Sequence, residues 1–289
     1  MRIGIVGTGL IGGSMAMVLR KKGFAEEVLG ADANGQNLRT AMALGIIDKA
    51  MALEDLVLRS DVVLMCVPVN AIVHTLPAVM NLVDNQVVVD AGSTKGAIVQ
   101  SICRHPKRGR FVAAHPMWGT EFSGPEAATD KAFEGKAVVI CDKEQSDKDA
   151  LYLAEKIFAA LGMYTVYMDS LHHDEHVAYV SHISHVTSFA LANTVLEKEK
   201  EEDAIFELAS GGFESTVRLA KSNPEMWLPV LQQNKENVLD VLNEHIAQLR
   251  KFKAALEKEN WEYLHELMRQ ANGIKRILNR ENNIVSSQK

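Results

Sequence analysis

The chain opens on a short apolar run, Arg2–Val6, that leads directly into Gly7-Thr8-Gly9-Leu10-Ile11-Gly12 and then into an amphipathic segment. A glycine run of this spacing is common on its own. Here it is preceded by a strand pattern, followed by a helix pattern, and answered about twenty residues later by an acidic residue, Asp32. Each glycine has a separate reason to be there. Gly7 permits a tight turn, Gly9 lets backbone approach a pyrophosphate, and Gly12 lets the helix pack close to the strand. The helix start then offers unpaired N–H groups and a partial positive charge to phosphates. A carboxylate at Asp32, in VLGADAN, can accept hydrogen bonds from both ribose hydroxyls of NAD, and it repels the 2′-phosphate of NADP. NAD is therefore the expected cofactor, held by Gly7, Gly9, Leu10, Ile11, Gly12 and Asp32. Val67 and Pro68 close the run VVLMCVPV and are expected to join them, because strand ends line the crevice in such folds. The plainer alternatives are a glycine turn without ligand and, at Val67-Pro68, a simple proline turn.

The rest of the chain extends this beginning. Candidate strands lie at Arg2–Val6, Glu27–Ala31, Val62–Val67, Val87–Ala91, Phe111–Ala114, Lys136–Cys141 and Tyr164–Tyr167, with helical patterns such as Gly12–Lys22, Leu38–Leu44 and Lys148–Leu161 between them. Alternation of this kind implies β-α-β units on a mostly parallel sheet, and near-continuous Val and Ile runs imply strands covered on both faces. From Ser170 to about Arg280 no strand pattern appears, and long helical periodicities dominate, as in His172–Glu199 and Val230–Glu257, with breaks at Gly211-Gly212 and Asn223-Pro224. The expected fold class is α/β, an N-terminal Rossmann-type dinucleotide-binding domain (1–168) followed by an all-helical C-terminal domain (169–289). The apolar stripes of the helical part exceed the needs of one small bundle, so a homodimer through that domain is expected. The polar tail ENNIVSSQK is expected to fray.

Composition excludes several classes. A net charge of −6 argues against nucleic acid as a partner. Three widely spaced cysteines without a C-x-x-C suit neither a disulfide framework nor a cysteine zinc site, and they point to a reducing compartment. No leader pattern precedes the first strand and the longest apolar runs are strand-sized, so a cytoplasmic, soluble protein with no membrane segment is expected. His172, His173, His176, His182 and His185 crowd one region, but no H-E-x-x-H occurs and no third ligand is evident, so no metal is expected. The first three read as polar residues at a helix start. His182 and His185 share one helical face.

Two segments at expected strand ends carry the chemistry: Asp90-Ala91-Gly92-Ser93-Thr94-Lys95-Gly96, and His115-Pro116-Met117-Trp118-Gly119-Thr120-Glu121 after FVAA. A histidine beside a hydroxyl segment and a nicotinamide suggests alcohol oxidation. Hydride leaves carbon only as the hydroxyl proton is removed, and a histidine titrates near working pH. Lys95, at a helix start, reads as exposed, with a part in a phosphate or substrate site as the lesser alternative.

The segments VGTGLIGGS, DAGSTKG, HPMWGTEFSGPEAA, HDEHVAYVSHISHVTSFALA and GGFESTVRLAKSNPEMW, in this order, resemble the prephenate/arogenate dehydrogenase family over roughly residues 1–280. The resemblance implies that His115 accepts the proton of the ring C4 hydroxyl and that Ser93 hydrogen-bonds His115 and that hydroxyl. It implies that Arg218 binds a substrate carboxylate and that His185 lies near the substrate side chain. Thr120, Glu121, Gly211 and Trp227 match positions around the pocket mouth, where Trp227 also reads as a core residue. One departure is evident. The family often carries an acid three residues before the arginine, whereas this chain has Ser215 there, in Phe213-Glu214-Ser215-Thr216-Val217-Arg218. The acid facing Arg218 is then Glu214, Glu121 or none.

The implied reaction is oxidative decarboxylation of prephenate to 4-hydroxyphenylpyruvate with NAD. The alternatives are arogenate as substrate and, from another class, a catalytically silent NAD-sensing protein. A β-hydroxyacid dehydrogenase would need a lysine on the helix SHISHVTSFALAN, which has none. The chain length leaves no room for a fused mutase or a sensing domain, so any tyrosine inhibition is expected to act at the active site.

Overall fold

Eight strands pair into one sheet: β1 (Arg2–Val6), β2 (Glu27–Ala31), β3 (Lys49–Ala50), β4 (Val62–Met65), β5 (Val87–Asp90), β6 (Phe111–Pro116), β7 (Ala137–Cys141) and β8 (Tyr164–Met168). The computed structural model describes residues 1–200 and 205–278, so the tail ENNIVSSQK lies outside the described residues. The strand order is β3-β2-β1-β4-β5-β6-β7-β8, and every neighbouring pair is parallel except β6 and β7. Side chains alternate between two cores, one on each face. Ile3, Ile5, Val62, Leu64, Val87 and Val89 point to one, and Val63, Met65 and Val88 to the other. A period of two, buried on both sides, is what lets a sheet carry such unbroken Val and Ile runs. The two-residue β3 has no apolar run, is exposed, and was not legible in the sequence.

The chain builds outward from β1 to β2 and β3, then returns to place β4 on the other side of β1. That reversal opens a crevice at the carboxyl ends of the central strands, where ligands bind in open α/β sheets. Gly7 follows β1, Asp32 follows β2, Val67 lies just past β4, Ser93 follows β5 and His115 sits in β6. Five of the sequence-selected segments thus meet one edge of the sheet.

After Met168 the described residues form no further strand. One helix was expected across His172–Glu199. The structure has helices Ser170–Val177 and Ile183–Glu199 joined by a π-helical turn at Ala178–His182. The wider turn resets the helix phase. His173 and Asp174 before it, His182 at its end and His185 after it are all buried. The second expected helix is likewise divided, into Pro224–Gln233 and Lys235–Glu257. The chain separates into two compact units, Met1–Val238 and Leu239–Lys289. The first holds the sheet and the helices through Gln233. The second holds the remainder of the long helix, Trp261–Ala271 and Ile274–Leu278. None of the described helices is long and apolar enough to cross a membrane.

Candidate active site

The glycine loop has the shape that its spacing implies. Gly7 has φ +94°, and a Cβ there would lie 2.5 Å from the Cys66 carbonyl oxygen. At Gly12 a Cβ would lie 2.1 Å from the Gly7 oxygen, so the helix Leu10–Lys21 approaches β1 only because position 12 is bare. Gly9 differs: the nearest atom to its virtual Cβ is 4.0 Å away, and space opens above it. No side chain caps this helix, so its first N–H groups remain available to an anion. Asp32 is half-buried and braced by the same loop. Its Oδ2 accepts from the Thr8 N–H at 2.9 Å and the Thr8 hydroxyl at 3.2 Å, and its Oδ1 accepts from the Asn34 N–H at 2.8 Å. Leu10 and Ile11 form the first helical turn. Val67 is half-buried, and the exposed Pro68 starts the helix Val69–Leu82, so Pro68 also serves as a turn. The open backbone at Gly9, the uncapped helix start and the fixed carboxylate fit a dinucleotide.

His115 is 9% exposed at the end of β6. Its backbone is gripped from behind, because the preceding residue, Ala114, has both polar atoms taken. The Ala114 N–H donates to Asp90 Oδ1 at 3.0 Å, and its oxygen accepts from Lys95 Nζ at 2.7 Å. Lys95 and Asp90 are ion-paired with both side chains fully buried. The expectation of an exposed Lys95 was therefore wrong. The lysine turns inward because the Asp90 carboxylate and the Ala114 carbonyl together satisfy a buried ammonium that would otherwise be costly.

The His115 ring is held as firmly. Its Nδ1 lies 2.9 Å from Nε2 of His173, whose Nδ1 lies 2.8 Å from Asp174 Oδ1. Asp174 Oδ1 also accepts from the Lys95 N–H at 2.7 Å, and Oδ2 accepts from the Gly96 N–H at 2.8 Å. Nε2 of His115 has no partner among the described residues and is not sealed from solvent. Burial, then the charges of His173, Lys95 and His182, hold the His115 imidazole well below the ordinary histidine value. His173 is not the polar helix-start residue that its sequence suggests. It is 0% exposed, and its pKa is lowered by burial against the opposing pull of Asp174. The signal was present in the helix Ser170–Val177, whose buried positions Ser170, His173, Asp174 and Val177 follow a helical stripe. Only the polarity of the stripe hid it.

Ser93 is half-buried in the turn before Lys95, and its hydroxyl makes no hydrogen bond among the described residues. No hydrogen bond joins Ser93 and His115 among the described residues; Nδ1 of His115 faces His173 and its Nε2 is open. Arg218 begins the turn Arg218–Lys221. Its Nη1 donates to Glu121 Oε2 at 2.6 Å, while Glu214 pairs with Lys221 and Ser215 bonds back to the Gly212 oxygen. Glu121 is thus the acid facing Arg218. Its carboxyl is held below the usual carboxylate range by its own backbone N–H and by Arg218. Nε and Nη2 of Arg218 have no partner among the described residues, which leaves a fork for a second carboxylate.

Glu121 and Thr120 also line an open groove of about 640 Å³ with Trp118, Phe122, Glu126 and Thr129. His185 is 9% exposed, donates from Nδ1 to the Ser181 oxygen at 3.1 Å, and stacks on Trp227 at 3.5 Å between ring centroids. Trp227 is a 7% exposed core residue with its Nε1 sealed. It meets His182 edge-on at 5.8 Å, so it backs the histidines rather than projecting into the groove. Gly211 is exposed at the start of the helix Gly211–Val217 that leads to Arg218. The clustered histidines disperse: His172 pairs with Asp169, His173 with His115 and Asp174, and His182 with Asn234. Among the described residues no group of three or more potential ligands is placed to hold a metal.

Fold and site together define an NAD-dependent oxidoreductase. Comparison with known proteins narrows this further. Residues 15–167 match the family model "Prephenate dehydrogenase, nucleotide-binding domain", and residues 169–270 match "Prephenate dehydrogenase, dimerization domain". The chain belongs to the prephenate dehydrogenase family. It is 28% identical to prephenate dehydrogenase of Bacillus subtilis over 92% of this chain and 73% of that one. It is also 28% identical to cyclohexadienyl dehydrogenase of Zymomonas mobilis over 98% and 97%. The crystal structure of prephenate dehydrogenase from A. aeolicus in complex with hydroxyphenyl propionate and NAD+ is 33% identical, covers 96% of this chain and 97% of its own, and has a TM-score of 0.84. The structure of Synechocystis arogenate dehydrogenase is 27% identical with a TM-score of 0.75, covering 96% and 100%.

Proposed function

We propose that this chain oxidises and decarboxylates prephenate to 4-hydroxyphenylpyruvate in tyrosine biosynthesis, with NAD reduced to NADH. One observation carries the site assignment. A neutral, buried histidine, His115, has Nδ1 occupied and Nε2 open, at the same sheet edge as the glycine loop.

In this reading Gly7, Gly9, Leu10, Ile11, Gly12 and Asp32 hold the dinucleotide, with Val67 and Pro68 beside it. When bound, NAD supplies the hydride acceptor. Nε2 of His115 takes the proton of the C4 hydroxyl, and the unpaired Ser93 hydroxyl orients that oxygen. A depressed pKa keeps His115 unprotonated at neutral pH, as a base must be. Arg218 binds a carboxylate through Nε and Nη2 while Glu121 fixes the guanidinium through Nη1. His185, on its Trp227 platform, borders the side chain of the substrate, with Thr120 and Gly211 at the mouth. Loss of carbon dioxide yields an aromatic ring, so orientation, a base and charge complementarity meet the demands on the protein.

Residues 1–168 form the cofactor domain in this reading, and 169–289 the substrate and dimerisation domain of a cytoplasmic homodimer. Tyrosine, which resembles the product, inhibits by competing at the same site. The test is an assay of NADH formation with prephenate and with arogenate, repeated with NADP. Turnover of prephenate is expected, together with loss of several orders of magnitude in kcat for His115→Asn. No turnover of prephenate overturns the assignment, and near-normal kcat in the variant removes His115 from the base role.

A further inference from the structure

Three buried polar residues in line end at the atom on which the proposed chemistry depends. Asp174 accepts from His173, and His173 meets Nδ1 of His115. Nothing in the reaction as described above uses His173 or Asp174. Both are closed off, at 0% and 6% exposure, so their hydrogen bonds are not shared with solvent at will.

We propose that His173 and Asp174 are positioning residues that set the tautomer of His115, with the proton on Nδ1 and the lone pair on Nε2, facing the substrate hydroxyl. The polarity of the row follows from its far end. An ionised carboxylate only accepts hydrogen bonds. Asp174 is committed as an acceptor to the Lys95 and Gly96 backbone N–H groups, at 2.7 and 2.8 Å. His173 Nδ1, at 2.8 Å from the same carboxylate, must therefore carry its proton. In a neutral imidazole the other nitrogen is then bare. His173 Nε2 can only accept, and the group facing it at 2.9 Å, His115 Nδ1, must donate. Nε2 of His115 is left as the basic atom. The reverse arrangement would set a bare His173 Nδ1 against a carboxylate oxygen, two acceptors at hydrogen-bond distance.

The same logic defines how the base is switched off. A proton added to His173 makes Nε2 a donor, turns His115 to the opposite tautomer and blocks the atom that accepts from substrate. The charged neighbours weigh against that proton. Lys95, Asp90 and Asp174 face His173; Lys95, His173 and His182 face His115; burial dominates at both rings and keeps them neutral. When His115 accepts the substrate proton, its Nδ1–H continues to donate to His173, so the ring stays in place through the step.

This inference rests on His115 being the base, yet its test does not depend on activity. Long-range 1H–15N spectra of the histidine-labelled full chain, with His115→Asn used for assignment, read the tautomer directly. The expected result is an Nδ1–H His115 in the wild type and in His173→Gln, whose side-chain oxygen can still accept. His173→Leu should lose that preference, and kcat should fall about 10- to 100-fold, taking as guide the loss seen when the partner that orients a metal-bound histidine is removed. KM for substrate and NAD should change by less than about threefold, since binding groups are untouched. Asp174→Asn, which keeps an oxygen for the backbone donors, should weaken the preference. An Nε2–H His115 in the wild type overturns the proposal, as does a His173→Leu protein with unchanged tautomer and kcat. If His173→Leu does not fold, the wild-type spectrum still decides. If the wild type turns over no substrate but shows Nδ1–H, the assigned reaction falls and the tautomer assignment stands.

Discussion

Replacing Asp32 separates two duties that the structure joins in one carboxylate. The side chain accepts from the Thr8 N–H at 2.9 Å and the Thr8 hydroxyl at 3.2 Å, and it is assigned the ribose hydroxyls of NAD. Thr8 is fully buried, so Asp32→Ala strands a backbone donor at a cost of about 1–3 kcal/mol. For a unit of this size that corresponds to a fall in Tm of roughly 2–12 °C. A hydrogen bond to a charged acceptor is worth about 1.5–3 kcal/mol, so losing one ribose contact should raise the Kd for NAD roughly 10- to 100-fold. Asp32→Asn provides the control. It keeps one oxygen, which can serve Thr8, but removes the charge that repels a 2′-phosphate. Its Tm should lie close to wild type, while NAD binding weakens and the preference for NAD over NADP narrows. Calorimetric titration with both dinucleotides, beside thermal unfolding, reads the two duties independently. A lowered Tm with an unchanged Kd for NAD in both variants refutes the reasoning and leaves Asp32 as a brace for the glycine loop alone.

Other consequences follow from the same site. Arg218→Ala should raise KM for prephenate roughly 10- to 100-fold, the worth of a charge-assisted hydrogen bond, with kcat little changed; steady-state kinetics showing an unaltered KM would make the Arg218–Glu121 pair structural. Acid should weaken the fold before carboxylates titrate. Burial pushes His182 down to about 4, below the ~6.5 of an exposed histidine, so unfolding takes up a proton in that window and stability drops as pH falls from ~6.5 to ~4. That single residue costs about 3 kcal/mol at the lower limit, and His115, His173 and His185 shift in the same direction. Thermal unfolding followed by circular dichroism should show a falling Tm from pH 7 to pH 5, with a shallower slope in His182→Gln; a flat profile contradicts neutral buried histidines.

What could be read from the sequence was whatever local rules govern. The glycine loop was legible because each of its positions answers to a turn, a close approach or a helix start within a few residues, and the sheet because Val and Ile runs report burial on both faces. β3 escaped because two exposed residues carry no period. The break at Ala178–His182 escaped because a π-helical turn leaves the average periodicity nearly intact while changing which residues face inward. Lys95 reads as exposed from its place at a helix start, and only the joint presence of Asp90 and the Ala114 carbonyl, from two neighbouring strands, makes its burial tolerable.

The same limit explains the division within the site. His115, Ser93, Arg218 and Glu121 could be singled out because their segments are distinctive. The groups that hold the His115 ring, His173 and behind it Asp174, are 58 and 59 residues away in sequence. A polar residue on a buried helical stripe looks, in isolation, like a surface residue out of phase. It becomes intelligible only when the opposing polar group is known, because a buried donor and a buried acceptor are each unfavourable alone and stable together. Polar positions that fall on an otherwise buried helical face, as His173 and Asp174 do between Ser170 and Val177, are therefore the place in such a sequence to look for the groups that support a catalytic side chain.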